Sequence, residues 1–113
     1  GLDREFHPKP TRPPIQNEAD NGLSNLTGTV AMARTSDPHS ASSQFFINLK
    51  DNLFLDHQAK TPQGWGYCVF TRVIDGMDTV ARIAALPTTQ RAGHSDVPAE
   101  DVVIEHAEVV EET

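Results

Sequence analysis

The stretch Ser42-Ser43-Gln44-Phe45-Phe46-Ile47-Asn48-Leu49-Lys50 reads as a β-strand, in which successive side chains point to opposite faces. Gln44, Phe46 and Asn48 then share one face, and Phe45, Ile47 and Leu49 the other. The second set is apolar throughout and reads as core. The first combines amides with a large ring. An amide can hydrogen-bond an extended backbone and an aromatic floor can take an apolar ring, so this face reads as a peptide-binding groove.

Thr29 to Arg34 reads as a shorter strand with Val30 and Met32 on one face, ended by Ser36-Asp37-Pro38. Gln58 to Gly66 is a polar loop and Tyr67 to Val73 a third strand. Asp75-Gly76 is a turn, with Asp75 the expected N-cap of a helix. Met77, Val80 and Ile83 or Ala84 recur at helical spacing, which predicts a helix from Met77 to Leu86 stopped by Pro87. Thr88 to Asp101 reads as another polar loop, and Val102 to Val110 as a last strand. Asp3 to Asn25 carries Pro8, Pro10, Pro13 and Pro14; proline fixes φ and removes a donor, so an extended arm or long surface loop is expected there. Several strands with little helix point to an all-β barrel or sandwich.

Composition changes this picture little. A length of 113 residues suits one domain, and 37% hydrophobic residues are too many for a disordered chain. The net charge of −7 argues against a nucleic-acid backbone as partner. No apolar run is long enough to span a bilayer as a helix, and the first residues do not read as a signal segment. Cys68 is the only cysteine, which excludes an internal disulfide and reads as a buried, inert thiol alongside Phe70. His7, His39, His57, His94 and His106 show no i, i+3 or i+4 pair, so no metal site is expected. Ser40, Ser42 and Ser43 lie near His39 without a Gly-x-Ser-x-Gly turn and read as loop hydroxyls. Asn25-Leu26-Thr27 fits the glycosylation pattern, which is common by chance and is discounted. Trp65, between Gly64 and Gly66, reads as the cap of an exposed edge.

Six blocks in one order carry a family resemblance: Asn17-Glu18-Ala19-Asp20-Asn21-Gly22-Leu23, Val30-Ala31-Met32-Ala33-Arg34-Thr35, Ser42 to Asn48, Phe54-Leu55-Asp56, Gly64 to Phe70, and Asp75-Gly76-Met77-Asp78. Together they closely resemble a bacterial-type cyclophilin, a peptidyl-prolyl cis-trans isomerase. The resemblance implies a mainly β fold, a closed antiparallel barrel with a short helix. It implies that residues 1–113 are the C-terminal portion of a single such domain, incomplete at its N-terminus. The family's Phe-His-Arg segment and its Gly-Phe-Met-Ile-Gln-Gly-Gly run have no counterpart here, and Gly1 resembles the last glycine of that run. No catalytic residue is therefore identified, because the family's arginine belongs to the absent segment.

For substrate binding the resemblance implies Phe46 as the floor of a proline pocket, with Leu55 and Tyr67 as further walls and Met32 just ahead of the rim. Gln44 and the backbone at Ala33 would bind the substrate main chain, with Arg34 and Thr35 nearby. Phe54 stands where many eukaryotic relatives carry tryptophan, and Tyr67 where they carry histidine. The implied partners are proline-containing polypeptides and, weakly, cyclosporin-like ligands, with no cofactor, metal, nucleic acid or membrane, in the cytoplasm. The alternatives are a non-catalytic proline-peptide-binding module and an inactive fragment that pairs with its missing half or another copy.

Overall fold

The computed structural model describes residues 1–111. They divide into two compact units, Gly1–Asp78 and the residues from Thr79 onward.

The first unit is built on a three-stranded antiparallel sheet. Strands β1 (Thr29–Met32), β2 (Phe45–Ile47) and β3 (Val69–Arg72) lie in the order β2-β1-β3. Val30 pairs with Ile47, Ala31 with Phe46 and Met32 with Phe45. On the other side Val30 faces Thr71 and Ala31 faces Val69, so Phe70 is an extra residue in a bulge. Residues directly opposite in a ladder share a face. Ala31, Phe46 and Val69 therefore form one face, and Val30, Met32, Phe45 and Ile47 the other. Val30, Ala31 and Val69 are buried, because the central strand is covered by neighbours on both sides.

The expected strands appear at the expected places but are shorter, since ladder pairing ends before the apolar pattern does. The apolar Phe45 face is core only at Val30, not at Phe45 and Leu49. Phe45 is 49% exposed and Leu49 53%, because none of the described residues covers that end of the sheet. The described strands do not close into a barrel: β2 and β3 each have β1 as their one strand partner.

The proline-bearing arm is extended, with a single 3-10 turn at Ala19–Asn21. It is more than a surface loop, however, since Asn17, Ala19 and Asn25 are buried. The backbone N–H of Ile15 donates to Ala41 O at 2.9 Å, forming an isolated bridge that seats the arm beside the loop before β2.

Helix α1 runs Met77–Ala84, with Asp78 in its first turn and Arg82 in its last, both favourable to the helix dipole. The residue ahead of it is Gly76 at φ +94°, which displaces Asp75 from the expected N-cap position.

In the second unit the expected polar loop is a hairpin, β4 (Thr88–Arg91) and β5 (His94–Pro98). Ala92 and Gly93 link the strands, with φ of +49° and +81°. Positive φ at both central positions is the turn geometry that matches strand twist. The last strand expected at Val102 to Val110 is absent: these residues are exposed and belong to no ladder.

Candidate functional site

Three asparagines spaced four apart on the arm fix the entry to β3. Asn17 Nδ2 donates to Gly66 O at 3.0 Å, Asn25 Nδ2 to Tyr67 O at 3.2 Å and Asn21 Nδ2 to Val69 O at 3.0 Å. Each replaces a ladder partner that an irregular backbone lacks, as buried carbonyls require. Tyr67 is thereby held between two anchored carbonyls.

A second amide network fixes the segment after β2. Asn25 and Asn48 are almost fully buried, at 0% and 2% exposure. Asn48 Nδ2 donates to Asn25 Oδ1 and to Thr29 Oγ1, both at 3.0 Å, and Asn52 Nδ2 donates to Asn48 Oδ1 at 2.9 Å. Asn25 also donates to Asp56 Oδ1, from its backbone N–H at 2.7 Å and its side chain at 3.0 Å. Burial of Asp56 opposes ionisation, but the Asn25 and Ser24 hydrogen bonds outweigh it and hold the carboxyl below its ordinary value. With Asn25 enclosed in this way, the folded chain does not present it as a glycosylation acceptor. Asn48, expected on the groove face, belongs to this buried network.

Gly66 makes both networks compatible. A Cβ at Gly66 would lie 2.5 Å from Leu55 O, 2.6 Å from Asp56 C and 2.7 Å from His57 N, and its φ is +76°. Only glycine lets the 55–57 segment cross so close to the backbone. Across that crossing Tyr67 N–H donates to Leu55 O at 2.8 Å.

These constraints bring together most of the residues expected at a peptide site. The Phe46 and Tyr67 rings meet edge to face, with centroids 5.8 Å apart. The Arg34 guanidinium lies 4.7 Å from the Tyr67 ring centroid. Its Nε donates to Gly66 O at 2.9 Å, one terminal nitrogen to Thr35 O at 2.8 Å and the other to Pro62 O at 3.4 Å. Ala33 N–H is spent on Gln44 O at 2.9 Å, so Ala33 offers its carbonyl, not its N–H, to a ligand. Thr35 is engaged by Ser40: its backbone N–H and its hydroxyl each lie 2.9 Å from Ser40 Oγ. Gln44 is exposed, and its side-chain amide makes no hydrogen bond among the described residues. Phe46, Leu55 and Phe54 line a depression of about 480 Å³ with Asn52 and residues 47–50. Phe54 is 74% exposed and stands at its rim.

Met32 lies elsewhere. It lines a second cavity of about 210 Å³ with Ile15, Ala41, Cys68 and Phe70, and Arg34 and Glu18 also border that cavity. Cys68 and Phe70 share this cavity, as the alternation predicts. Burial pushes the Cys68 thiol above its ordinary value, with Glu18 and Asp20 adding to the rise, so the thiol stays protonated and unreactive.

Trp65 is buried at 7% exposure and does not cap an open edge. His39 and His57 each present a ring 5.0 Å from it, edge to face. The sequence signal that could have revealed this is the pair of flanking glycines, which let loops close over the indole.

Comparison with known proteins identifies the family. The sequence profile of the family described as cyclophilin type peptidyl-prolyl cis-trans isomerase/CLD matches residues 3–109. Over 110 residues the chain is 57% identical to peptidyl-prolyl cis-trans isomerase cyp18 of Streptomyces antibioticus, covering 97% of this chain and 66% of that protein. It is 53% identical over 111 residues to peptidyl-prolyl cis-trans isomerase B of Escherichia coli (strain K12), covering 98% and 68%. A third relative, a peptidyl-prolyl cis-trans isomerase of Acinetobacter baylyi, is 51% identical over 104 residues, covering 92% of this chain and 54% of that protein. The chain thus spans about half to two thirds of the length of these relatives. It belongs to the cyclophilin-type peptidyl-prolyl cis-trans isomerase family.

Proposed function

We propose that the groove bounded by Phe46, Tyr67, Leu55 and Gln44 binds proline-containing polypeptides. In this reading residues 1–113 are the C-terminal portion of a single cyclophilin-like domain that isomerises X-Pro bonds. The observation that carries it is the Phe46–Tyr67 corner, held by anchored backbone on both sides and flanked by the unspent Gln44 amide. A flat apolar corner suits the proline ring, and a free amide beside it suits the peptide main chain.

The chemistry requires neither nucleophile nor metal. Rotation about the C–N bond faces a barrier of about 18–20 kcal/mol from its partial double-bond character. The two isomers of X-Pro differ by only about 0.5–1 kcal/mol. A catalyst therefore holds the peptide in a twisted geometry with donors already in place. In this chain Gln44 fixes the main chain while the aromatic corner holds the ring.

Arg34 is not the catalytic donor in this account. It is committed to three carbonyls and to Tyr67. That commitment also supports the second reading, in which these residues bind proline peptides without accelerating isomerisation.

Barrel closure belongs to the proposal too: the outer edges of β2 and β3 and the exposed Phe45 and Phe70 suit further strands of the same domain. The proposed compartment is the cytoplasm, which rests on the resemblance alone and is tested by cell fractionation. Cyclosporin-like ligands bind weakly, because Phe54 lacks an indole N–H; Phe54→Trp should tighten them several-fold in calorimetry, and no gain removes this explanation.

The deciding experiment measures binding of a blocked proline peptide and acceleration of its isomerisation on the same sample. Binding with acceleration supports the isomerase; binding alone supports the second reading. No binding overturns both.

A further inference from the structure

The Arg34 guanidinium has three features that together point to a ligand. Its pose is fixed by Gly66 O, Thr35 O, Pro62 O and the Tyr67 ring, so little side-chain freedom remains to be lost on binding. All three hydrogen-bond partners are neutral carbonyls, and among the described residues no carboxylate lies within ion-pair distance of it. A guanidinium has five N–H donors in a planar fork, of which three are spent here. The charge and part of the fork remain available, in a chain whose net charge is −7. The cation stacks on the Tyr67 ring, which in turn meets the Phe46 ring edge to face, so Arg34 stands one ring away from Phe46, between that corner and the Met32 cavity it also lines.

We infer that Arg34 makes the groove selective for proline peptides that carry an acidic side chain close to the proline. This rests on the groove reading above. An extended peptide advances about 3.3–3.6 Å per residue, so a proline on Phe46 leaves a side chain one to three residues away within reach of Arg34. A carboxylate there accepts charge-assisted hydrogen bonds from the unspent donors. Glu18 lines the same cavity as Arg34 but does not come within ion-pair distance of it, so a peptide carboxylate that does reach the guanidinium has the shorter contact. A lysine at the same peptide position meets the Arg34 charge and is disfavoured. Arg34 thus acts on which peptides are held, while Phe46 and Gln44 hold the proline and its backbone.

The test uses acetylated, amidated peptides that contain one proline and carry Glu, Gln or Lys at each position within three residues of it. Blocking both ends removes terminal charges, so any preference belongs to the side chain. Affinities are measured by calorimetry for the parent, Arg34→Gln and Arg34→Lys, near physiological salt and at high salt. At one position the parent should bind Glu about two- to fivefold tighter than Gln, the scale of a well-oriented, partly exposed ion pair, and Lys weaker than Gln. Arg34→Gln should bring the Glu-to-Gln ratio to about one, Arg34→Lys should keep part of it, and high salt should shrink it in the parent. The ratio is the readout, so a general weakening from loss of the Tyr67 contact does not imitate the result. Equal binding of Glu and Gln peptides by the parent, or an unchanged ratio in Arg34→Gln, overturns the inference and leaves the groove reading standing. Failure of every proline peptide to bind the parent overturns the groove reading and the inference with it.

Discussion

The two faces of the β2-β1-β3 sheet carry comparable aromatic side chains in different surroundings. On one face Phe46 meets Tyr67, and backbone anchored by Asn17, Asn21 and Asn25 holds that corner in place. On the other, Phe45 and Phe70 are about half exposed, and Met32 and Cys68 line an apolar cavity. The contrast teaches that apolar alternation marks which side chains share a face, but not which face is covered. Coverage depends on the layer that packs against it, and a functional groove needs rigid support beneath a surface left open.

The strongest way to break the supported side is Gly66→Ala. The new Cβ would overlap the Leu55–His57 backbone, and φ +76° disfavours any side chain. Unfolding free energy should fall by more than about 3 kcal/mol in denaturant titration. A loss below about 1 kcal/mol would show that the crossing can relax.

Asn25→Ala comes next. It removes the side-chain donor to Asp56 and to Tyr67 O and leaves the Asn48 amide short of an acceptor. Unmet buried groups of this kind make a loss of about 2–3 kcal/mol the expectation. The backbone N–H bond to Asp56 survives the substitution, which keeps the loss from being larger.

Phe46→Ala and Phe45→Ser sharpen the comparison itself. Truncating Phe46 should weaken proline-peptide binding by about 1–2 kcal/mol, since a half-buried ring contributes less than the roughly 3–5 kcal/mol of a core ring. Phe45→Ser should leave that affinity unchanged and raise solubility, because it shrinks an exposed apolar patch. Equal effects of both on binding would erase the distinction between the faces.

The smallest effect is on acid stability. Asp56 has a folded pKa below its ordinary 3.8. Its contribution is therefore fully present above about that pH and is lost as pH falls through the lowered folded value. Asp56→Asn should flatten part of the stability loss below pH 3.8 in acid unfolding. Some acid dependence should persist, since Asp51 is held below its ordinary value by Thr27 in the same way.

Many of the residues in the proposed groove were named from the chain alone. The alternation from Gln44 to Leu49 put Gln44 and Phe46 on one face, and the resemblance added Tyr67, Leu55, Arg34 and Phe54 to the proposed groove. Helix α1 was legible from the spacing of Met77, Val80 and Ile83. What escaped was structure made by long-range pairing. Asn17, Asn21 and Asn25 look like ordinary loop residues until the carbonyls of Gly66, Tyr67 and Val69 come within reach. The Thr88–Pro98 hairpin hid in polar residues, its one signal being Gly93 after Ala92. Val102 to Val110 has strand-like composition, but a strand exists only where an edge accepts it.

The most direct test of the account is to map proline-peptide binding residue by residue, by backbone amide chemical-shift changes during titration. A matched peptide with alanine in place of proline serves as the control. The account predicts shifts concentrated at Gln44, Phe46, Leu55 and Tyr67, with Cys68 and Phe70 unmoved and little response to the control. Shifts centred on Met32, Cys68 and Phe70, or equal response to both peptides, would contradict it.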